Sequence, residues 1–453
     1  MMSRAFREGS ALIACTIFLV VFTALAVGMA AMSGANLRIA DNQREANSAF
    51  ASAESGLEVV RYWVDQVRMP SSTPVADYLS TAISNLQTEL AANGIENVHI
   101  NSDGSIPAVV INALGGQSFS GQVSIDPADP AVLRLLVIGA SHNATRSIRV
   151  NFHIEPYRFP IFNYGMATKG ALQFPQNPTL TAMTENWEAD IYVESANNIM
   201  AVQIGGNTNF AGDIDIGNPL GNASFGGSVQ IAGEYGQDAI DHHVTVGADP
   251  VEFPVPQTAT FQHYATGPVI GPTTNLSNSM TLTNASIQAG TNPTFLGNIT
   301  IQGILYIQSP NVVRFTRNVS LQGLIVAGGD VSNPGSNSIG FEGNFASSGY
   351  PTGAQFDALR AEQGSSIVAP GFGVSFTGNF SSVNGVLAAS SLYFSGNASA
   401  TVKGTMISYS QDATRVDGNI SMNFDRAQMV EIPAGFDLLR VLKYQPTSYT
   451  LIF

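Results

Sequence analysis

The densest group of side chains able to do chemistry is Asp238, Asp241, His242 and His243. Carboxylates beside neutral imidazoles can bind a transition metal. Adjacent histidines in a strand point to opposite faces, however, so one would be a ligand at best and the segment reads as exposed loop. Upstream, Gly212-Asp213-Ile214-Asp215-Ile216-Gly217 carries two carboxylates on one strand face. Calcium would need a fuller oxygen set than that pair supplies. Asp330, Glu342, Asp357, Glu362, Asp412, Asp417 and Asp425 fall at no matching repeat position, unlike the paired acids of glycan hydrolysis. The chain has no Gly-x-Ser-x-Gly, Walker loop or His-Glu-x-x-His. The reading is of no enzyme, no cofactor and no metal. Nine Asn-x-Ser/Thr sequons occur, at Asn143, Asn222, Asn275, Asn284, Asn298, Asn318, Asn379, Asn397 and Asn419, and repeat geometry explains several of them better than glycosylation.

Composition narrows the classes further. The 453 residues carry a net charge of −14 with only 11% charged side chains, against about 25% in typical domains. Phosphate recognition needs a basic stripe, so nucleic acid is not an expected partner. The single cysteine, Cys15, excludes an internal disulfide and lies in an apolar run where it packs. With 44 glycines, 22 prolines and 44% hydrophobic residues, the chain reads as folded, polar without charge, and β-rich.

The elements that must position any site begin with a membrane segment. Ala11 to Met32 is almost wholly apolar, and as a helix it rises about 33 Å, enough for a hydrocarbon core of ~30 Å. Arg4 and Arg7 precede it, so the positive-inside bias puts the N-terminus in the cytoplasm and the bulk on the other side. The run is longer than a signal-peptide core, and the pattern beyond it stays helical. Ala46, Ala49, Ala53, Gly56, Leu57, Val60, Val64 and Val67 form one stripe, and Pro70 and Pro74 stop the helix. Glu58–Arg61 and Arg61–Asp65 are spaced for ion pairs on another face.

Two segments here resemble the N-terminal domain of PilX-type minor pilins: Arg7-Glu8-Gly9-Ser10-Ala11-Leu12-Ile13 before the span, and Asn47 through Glu58 after it, with Ala49, Phe50, Ala53, Glu54 and Leu57 as signature. The resemblance covers about the first 65 residues. It implies a leader ending at Gly9, a prepilin peptidase that cuts there, and Ser10 as the mature N-terminus. Most pilins carry Glu at the fifth mature position; here it is Ala14. A buried charge is kept only where it finds a partner, so its absence points to a subunit that is not stacked along a shaft.

Beyond the span, residues 75–93 read as a second helix, and 122–125, 131–138 and 147–154 as strands of a small antiparallel sheet. From Phe162 on, a weak repeat appears: Asn298…Gly303, Asn318…Gly323, Asn379…Gly385, Asn397…Gly404 and Asn419, with Asn spacings of 20, 61, 18 and 22. A period near 20 fits one coil of a parallel β-helix, with Gly and Asn at left-handed corners, Asn side chains bonded to one another, and Ile301, Leu321 and Leu324 stacked inward. The Asn163–Gly170 opening, Phe253-Pro254…Tyr264-Ala265 and Ser309-Pro310-Asn311…Gly323-Leu324-Ile325 resemble, more loosely, a domain found behind PilX-type N-termini.

The expected architecture is mainly β with a long N-terminal transmembrane helix: leader 1–9, membrane and amphipathic helix 10–69, pilin-like α+β head 70–158, right-handed parallel β-helix 159–435 and a C-terminal tail 436–453. The expected role is a minor pilin or pseudopilin-like subunit of a type IV pilus or type II secretion filament. Its partners would be other pilin subunits, prepilin peptidase, inner-membrane lipid and, through the β-helix, surface glycans. The alternative is a single-span anchored β-helix protein unrelated to filaments, acting as a glycan-binding adhesin or carbohydrate-active enzyme.

Overall fold

The computed structural model describes residues 5–395, 399–418 and 420–452, with side chains from Ala11 onward. A long apolar helix leads into a mostly β chain that divides into two compact units, residues 1–155 with 439–453, and residues 156–438.

In the first unit, helix α1 runs unbroken over Ala5–Val64, about 90 Å at 1.5 Å per residue. Leu12, Phe18, Phe22 and Leu25 are each more than half exposed, as a lipid-facing surface would be. The helix stops before the expected residue 69. A closing turn (Gln66 N–H to Trp63 O, 3.1 Å) lets Arg68–Pro70 extend as strand β1. Helix α2 spans Tyr78–Ala92 and buries Ala82, Ile83, Leu86 and Leu90, the stripe its 3.6-residue period aligns. Strands β2 (Ser105–Asn112), β3 (Gln117–Asp126), β4 (Asp129–Ser141) and β5 (Ala144–Pro156) form an antiparallel meander. The expected tail is instead strand β6 (Leu439–Ile452), inserted between β1 and β5 in the order β1-β6-β5-β4-β3-β2. The correction has a plain cause. An unpaired β5 edge would leave a row of backbone donors and acceptors unsatisfied, and 439–452 supplies the strand, burying Leu442 in the head core.

In the second unit the described strands fall into three ladders of parallel pairing, except Glu234–Tyr235, which pairs antiparallel with Val229–Ile231. The first joins 280–283, 299–302, 319–322, 345–348, 380–383, 399–402 and 421–424. The second joins 269–270, 285–287, 305–307, 325–327, 367–369, 387–389 and 406–408. The third joins 294–295, 312–315, 338–341, 373–376, 391–394 and 414–416. Pairing then passes from the end of the chain to its beginning. Residues 406–408 pair with 166–168, 414–415 with 172–173, and 421–424 with 179–182. The stack continues through 191–193, 202–204, 209–210 and 214–216 as far as 244–246. The opening turn of this unit therefore lies inside the stack, beside its last turn.

Residues 251–267 make the return. Val251 N–H donates to Tyr192 Oη (3.2 Å), and Pro254 O accepts from Tyr409 Oη (2.6 Å). Phe261 packs with Ile304, Leu324 and Val368, and Gly267 N–H reaches Asn284 O (2.7 Å). This strap covers the outside of the second ladder, which is why strands there are buried on both sides. Leu324 accordingly belongs under the strap, whereas Ile301 and Leu321 pair in register and face the main core.

The core itself is built by superposition. Phe295, Phe315, Phe341, Phe376 and Phe394 stack with centroids 4.8, 5.2, 5.0 and 5.3 Å apart and planes within 10°. That spacing is close to the ~4.8 Å inter-strand distance, so the backbone ladder sets the ring geometry. Phe341→Ala would open a cavity at the centre of the stack. It should cost about 3–5 kcal/mol in urea unfolding followed by circular dichroism, and a loss below 1 kcal/mol would refute the stack's structural weight.

Candidate functional site

The first candidate site is the seat of α1 on the head sheet. Ala49 and Ala53 have no exposed surface, Leu57, Val60 and Val64 are buried, and Phe50 packs beside the same core. Small residues are required here, because a Cβ on Gly139 of β4 would come within 2.1 Å of Ala49 O and 2.2 Å of Ala53 N. A Cβ on Gly56 would likewise meet the Phe119 ring at 2.5 Å. The helix backbone thus lies directly on the sheet, and Ala49, Ala53 and Gly56 form the contact. Glu54 points outward and accepts from Tyr449 Oη of β6 at 3.4 Å. Glu58 pairs with Arg61 at 2.8 Å, and Arg61 also covers the Tyr444 ring at 5.1 Å. Burial pushes the Asp65 carboxyl up, against the pull of Arg61 and Arg68. Gly9 and Ser10 lie within the backbone of α1. Sequence reasoning missed Gly139, whose signal is a glycine in a thirteen-residue strand, where a close backbone approach is the usual cause.

The second candidate is the acid–histidine group. Gly236–His243 forms helix α3 rather than strand or loop, so the two histidines are about 100° apart, not on opposite faces. His242 Nδ1 lies 2.7 Å from Glu234 Oε2, and its pKa is raised by that carboxylate. His243 Nδ1 lies 2.8 Å from Asp213 Oδ1, joining two segments that read as separate in the sequence. Asp241 instead accepts from Gln237 at 2.7 Å, and Asp215 from Tyr164 Oη at 2.9 Å. Among the described residues, no three His, Cys, Asp or Glu side chains converge to hold a metal. Burial, with Asp213 and Asp215 adding to it, raises the Asp190 carboxyl to about 7, while the Asp213 N–H it accepts (2.9 Å) opposes that shift.

The repeat-frame residues divide by corner. Asn298 Oδ1 accepts Asn318 N–H (3.3 Å) and Asn318 Oδ1 accepts Asn344 N–H (3.1 Å). Asn379 O accepts Phe345 N–H at 2.9 Å. Asn298 and Asn318 therefore bond side chain to backbone between successive turns, not side chain to side chain, while Asn379 uses its backbone carbonyl; Asn298, Asn318 and Asn379 have ordinary negative φ. Left-handed backbone falls mainly at the glycine corner of this frame, with Gly418 (φ 93°) an exception at the asparagine corner. Gly303, Gly323 and Gly385 have φ of 79°, 141° and 114°, and a Cβ on Gly323 would meet Gly303 O at 2.0 Å. Gly404 lacks positive φ, but its Cβ would press on Gly385 C at 2.3 Å. Asn397 and Asn419 lie outside the described residues. Asn177 and Asn207 occupy the same asparagine corner, with Asn207 N–H on Asn177 Oδ1 (2.8 Å). Sequence reasoning missed both: Pro-Gln-Asn-Pro lacks the Gly-Asn pair, whereas Gly206-Asn207 followed by Gly212 carries the full frame and was legible.

Arg426 also escaped notice. Nearly fully buried, it donates through Nη2 to Phe162 O (2.6 Å) and through Nη1 to Asn163 O (3.1 Å) and Glu188 O (3.0 Å). Burial lowers its pKa to about 10, leaving it cationic at neutral pH. It ties the segment after the last turn to the opening one.

Comparison with known proteins finds a family similarity for the N-terminal segment. Residues 8–58 match the family described as PilX N-terminal. The match takes in the segments on which the PilX resemblance rests, apart from Arg7, and it bears that resemblance out. No curated protein matches the chain. Among solved structures, the competence-associated pilin ComZ from Thermus thermophilus aligns over 90% of this chain and 97% of its own, at 14% identity and a TM-score of 0.31, too low to bear on the fold.

Two outcomes test these sites. Gly139→Val should lift α1 off the sheet and cost at least about 2 kcal/mol; an unchanged melting temperature would refute direct backbone seating. For Asp190, the folded pKa exceeds the ordinary value of 3.8. An acid so raised binds more protons folded than unfolded, so its contribution to stability falls as pH rises from about 4 to 7. Asp190→Asn should therefore be more stable than the parent at pH 8, by about 1 kcal/mol after discounting for solvent screening. The gain should vanish near pH 4, and an equal gain at both pH values would refute the shift.

Proposed function

We propose that the chain is a minor pilin or pseudopilin-like subunit, held in the inner membrane by α1 with its N-terminus cytoplasmic and handed to a type IV pilus or type II secretion filament. The observation that carries this reading is the coincidence of a PilX N-terminal match over residues 8–58 with a helix that is lipid-facing in its first half and seated on a sheet by Ala49, Ala53 and Leu57 in its second. Prepilin peptidase would cut between Gly9 and Ser10, and other pilin helices would then replace lipid around Ala11–Met32. Arg4 and Arg7 support the orientation.

The three parallel ladders read best as a right-handed parallel β-helix, since each strand-to-strand crossover between parallel partners takes that hand in nearly all proteins. With the roughly 390 residues that follow α1, a subunit at every position of a thin shaft would collide with its neighbours, so a tip or sparse position is the expected one. The β-helix then serves as the adhesive or interaction surface, and the chain acts without catalysis.

The mass of the mature N-terminus tests this reading. Co-expression with prepilin peptidase should yield a chain beginning at Ser10, and Gly9→Leu should abolish that product. An intact leader, or cleavage near Ala30, would favour an anchored protein outside the filament machinery.

A further inference from the structure

The glycine corner of the second unit carries a cavity of about 390 Å³, within the 300–1,000 Å³ range of small-ligand sites. Gly323, Gly364 and Gly385 line it. Gly364 and Gly385 have φ of 88° and 114°, and a Cβ on Gly385 would strike Gly364 O at 2.7 Å. The wall is completed by residues 349–365, inserted between two ladder strands, and by the 425–430 segment.

Three features of the lining select a ligand class. The side-chain amides of Gln363, Asn384 and Gln428 line the cavity and make no hydrogen bond to the described chain. Burying them under an apolar ligand would leave donors and acceptors unpaired. The cations at the site are already neutralised. Arg360 pairs with Asp357 and also donates to Pro351 O (2.9 Å), while Lys403 Nζ lies 3.4 Å from Asp425 Oδ2. An anionic ligand therefore finds no net positive field. Finally, Tyr350 is fixed by its hydroxyl on Glu362 O (2.8 Å) and, with Met429 and Val430, offers apolar surface. Unspent amides, balanced charge and an apolar patch together match a ligand bearing hydroxyls on one side and C–H groups on the other.

We infer that this cavity binds the neutral saccharide units of a surface glycan. The inference rests on the reading of the β-rich unit as an external interaction surface and names the chemistry that surface recognises.

The full-length protein in lipid nanodiscs, free of sugar-based detergent, should be titrated calorimetrically with cellotetraose, chitotetraose, mannotetraose and tetragalacturonate. At least one neutral oligomer should bind with Kd below about 5 mM, and at least tenfold more tightly than tetragalacturonate. Asn384→Leu with Gln428→Leu should weaken binding tenfold or more, while Thr300→Val, away from the cavity, should not. If the double variant melts earlier than the parent, Gln363→Leu replaces it under the same criterion. No neutral binding by 5 mM, preference for tetragalacturonate, or a loss under tenfold overturns the inference. The assay needs no filament, so a null result beside correct cleavage at Gly9 removes the saccharide site alone. Failed cleavage beside sugar binding removes only the filament assignment.

Discussion

Parallel stacking at the strand spacing is the constraint on which the second unit depends. Each turn can satisfy its backbone N–H and C=O groups only from the turns on either side. Equivalent positions are therefore forced to superpose, whether they hold Phe, Asn or Gly. The phenylalanine column follows from this: its rings lie nearly parallel, with centroids 4.8–5.3 Å apart, because their Cα atoms are held at that spacing. The asparagine corner follows as well. A side-chain carbonyl at one turn is held at the right height to accept the next turn's amide.

The same constraint explains the joint between the ends of this unit. The opening turn at 166–182 would present a row of bare strand edges if it capped the stack. It pairs instead with 406–424, and Arg426 binds the carbonyls of Phe162, Asn163 and Glu188 across the junction. Such an arrangement obliges the chain to travel back along the stack, and residues 251–267 do so, covering a ladder that would otherwise expose Ile304, Leu324 and Val368. In the first unit the governing contact is closer still: backbone on backbone, through Gly139 against Ala49 and Ala53. Both units use glycine for the same physical purpose, to bring two main chains nearer than a Cβ permits.

Much of the architecture and part of the candidate site were legible in the sequence. The lipid-length run, the small-residue stripe ending in Leu57, helix 75–93 and the Gly-Asn frame are local patterns, and period and spacing report them directly. Only one continuous helix places Ala49, Ala53 and Leu57 on a single stripe. The errors have a common origin. Residues 439–452 look like a tail because their strand partners are hundreds of positions away. His242 and His243 look like alternating strand residues because eight residues are too few to show a helical period. Leu324 looks like its neighbour Leu321, and only the strap decides that the two face different clusters.

What the sequence determined by itself was therefore whatever depends on neighbours along the chain: the membrane-length helix, the PilX-type segment, the low charged fraction and the twenty-residue period. The tertiary structure alone decided which turn sits beside which, where the C-terminal strand inserts, that Asp213 meets His243, and that a cavity opens at Gly364 and Gly385. The physical reason is that strand pairing is specified by hydrogen-bond geometry common to every residue, so a ladder's sequence carries little mark of its partner. Only the requirement that all edges be paired and all apolar faces covered, met over the whole fold at once, selects the arrangement.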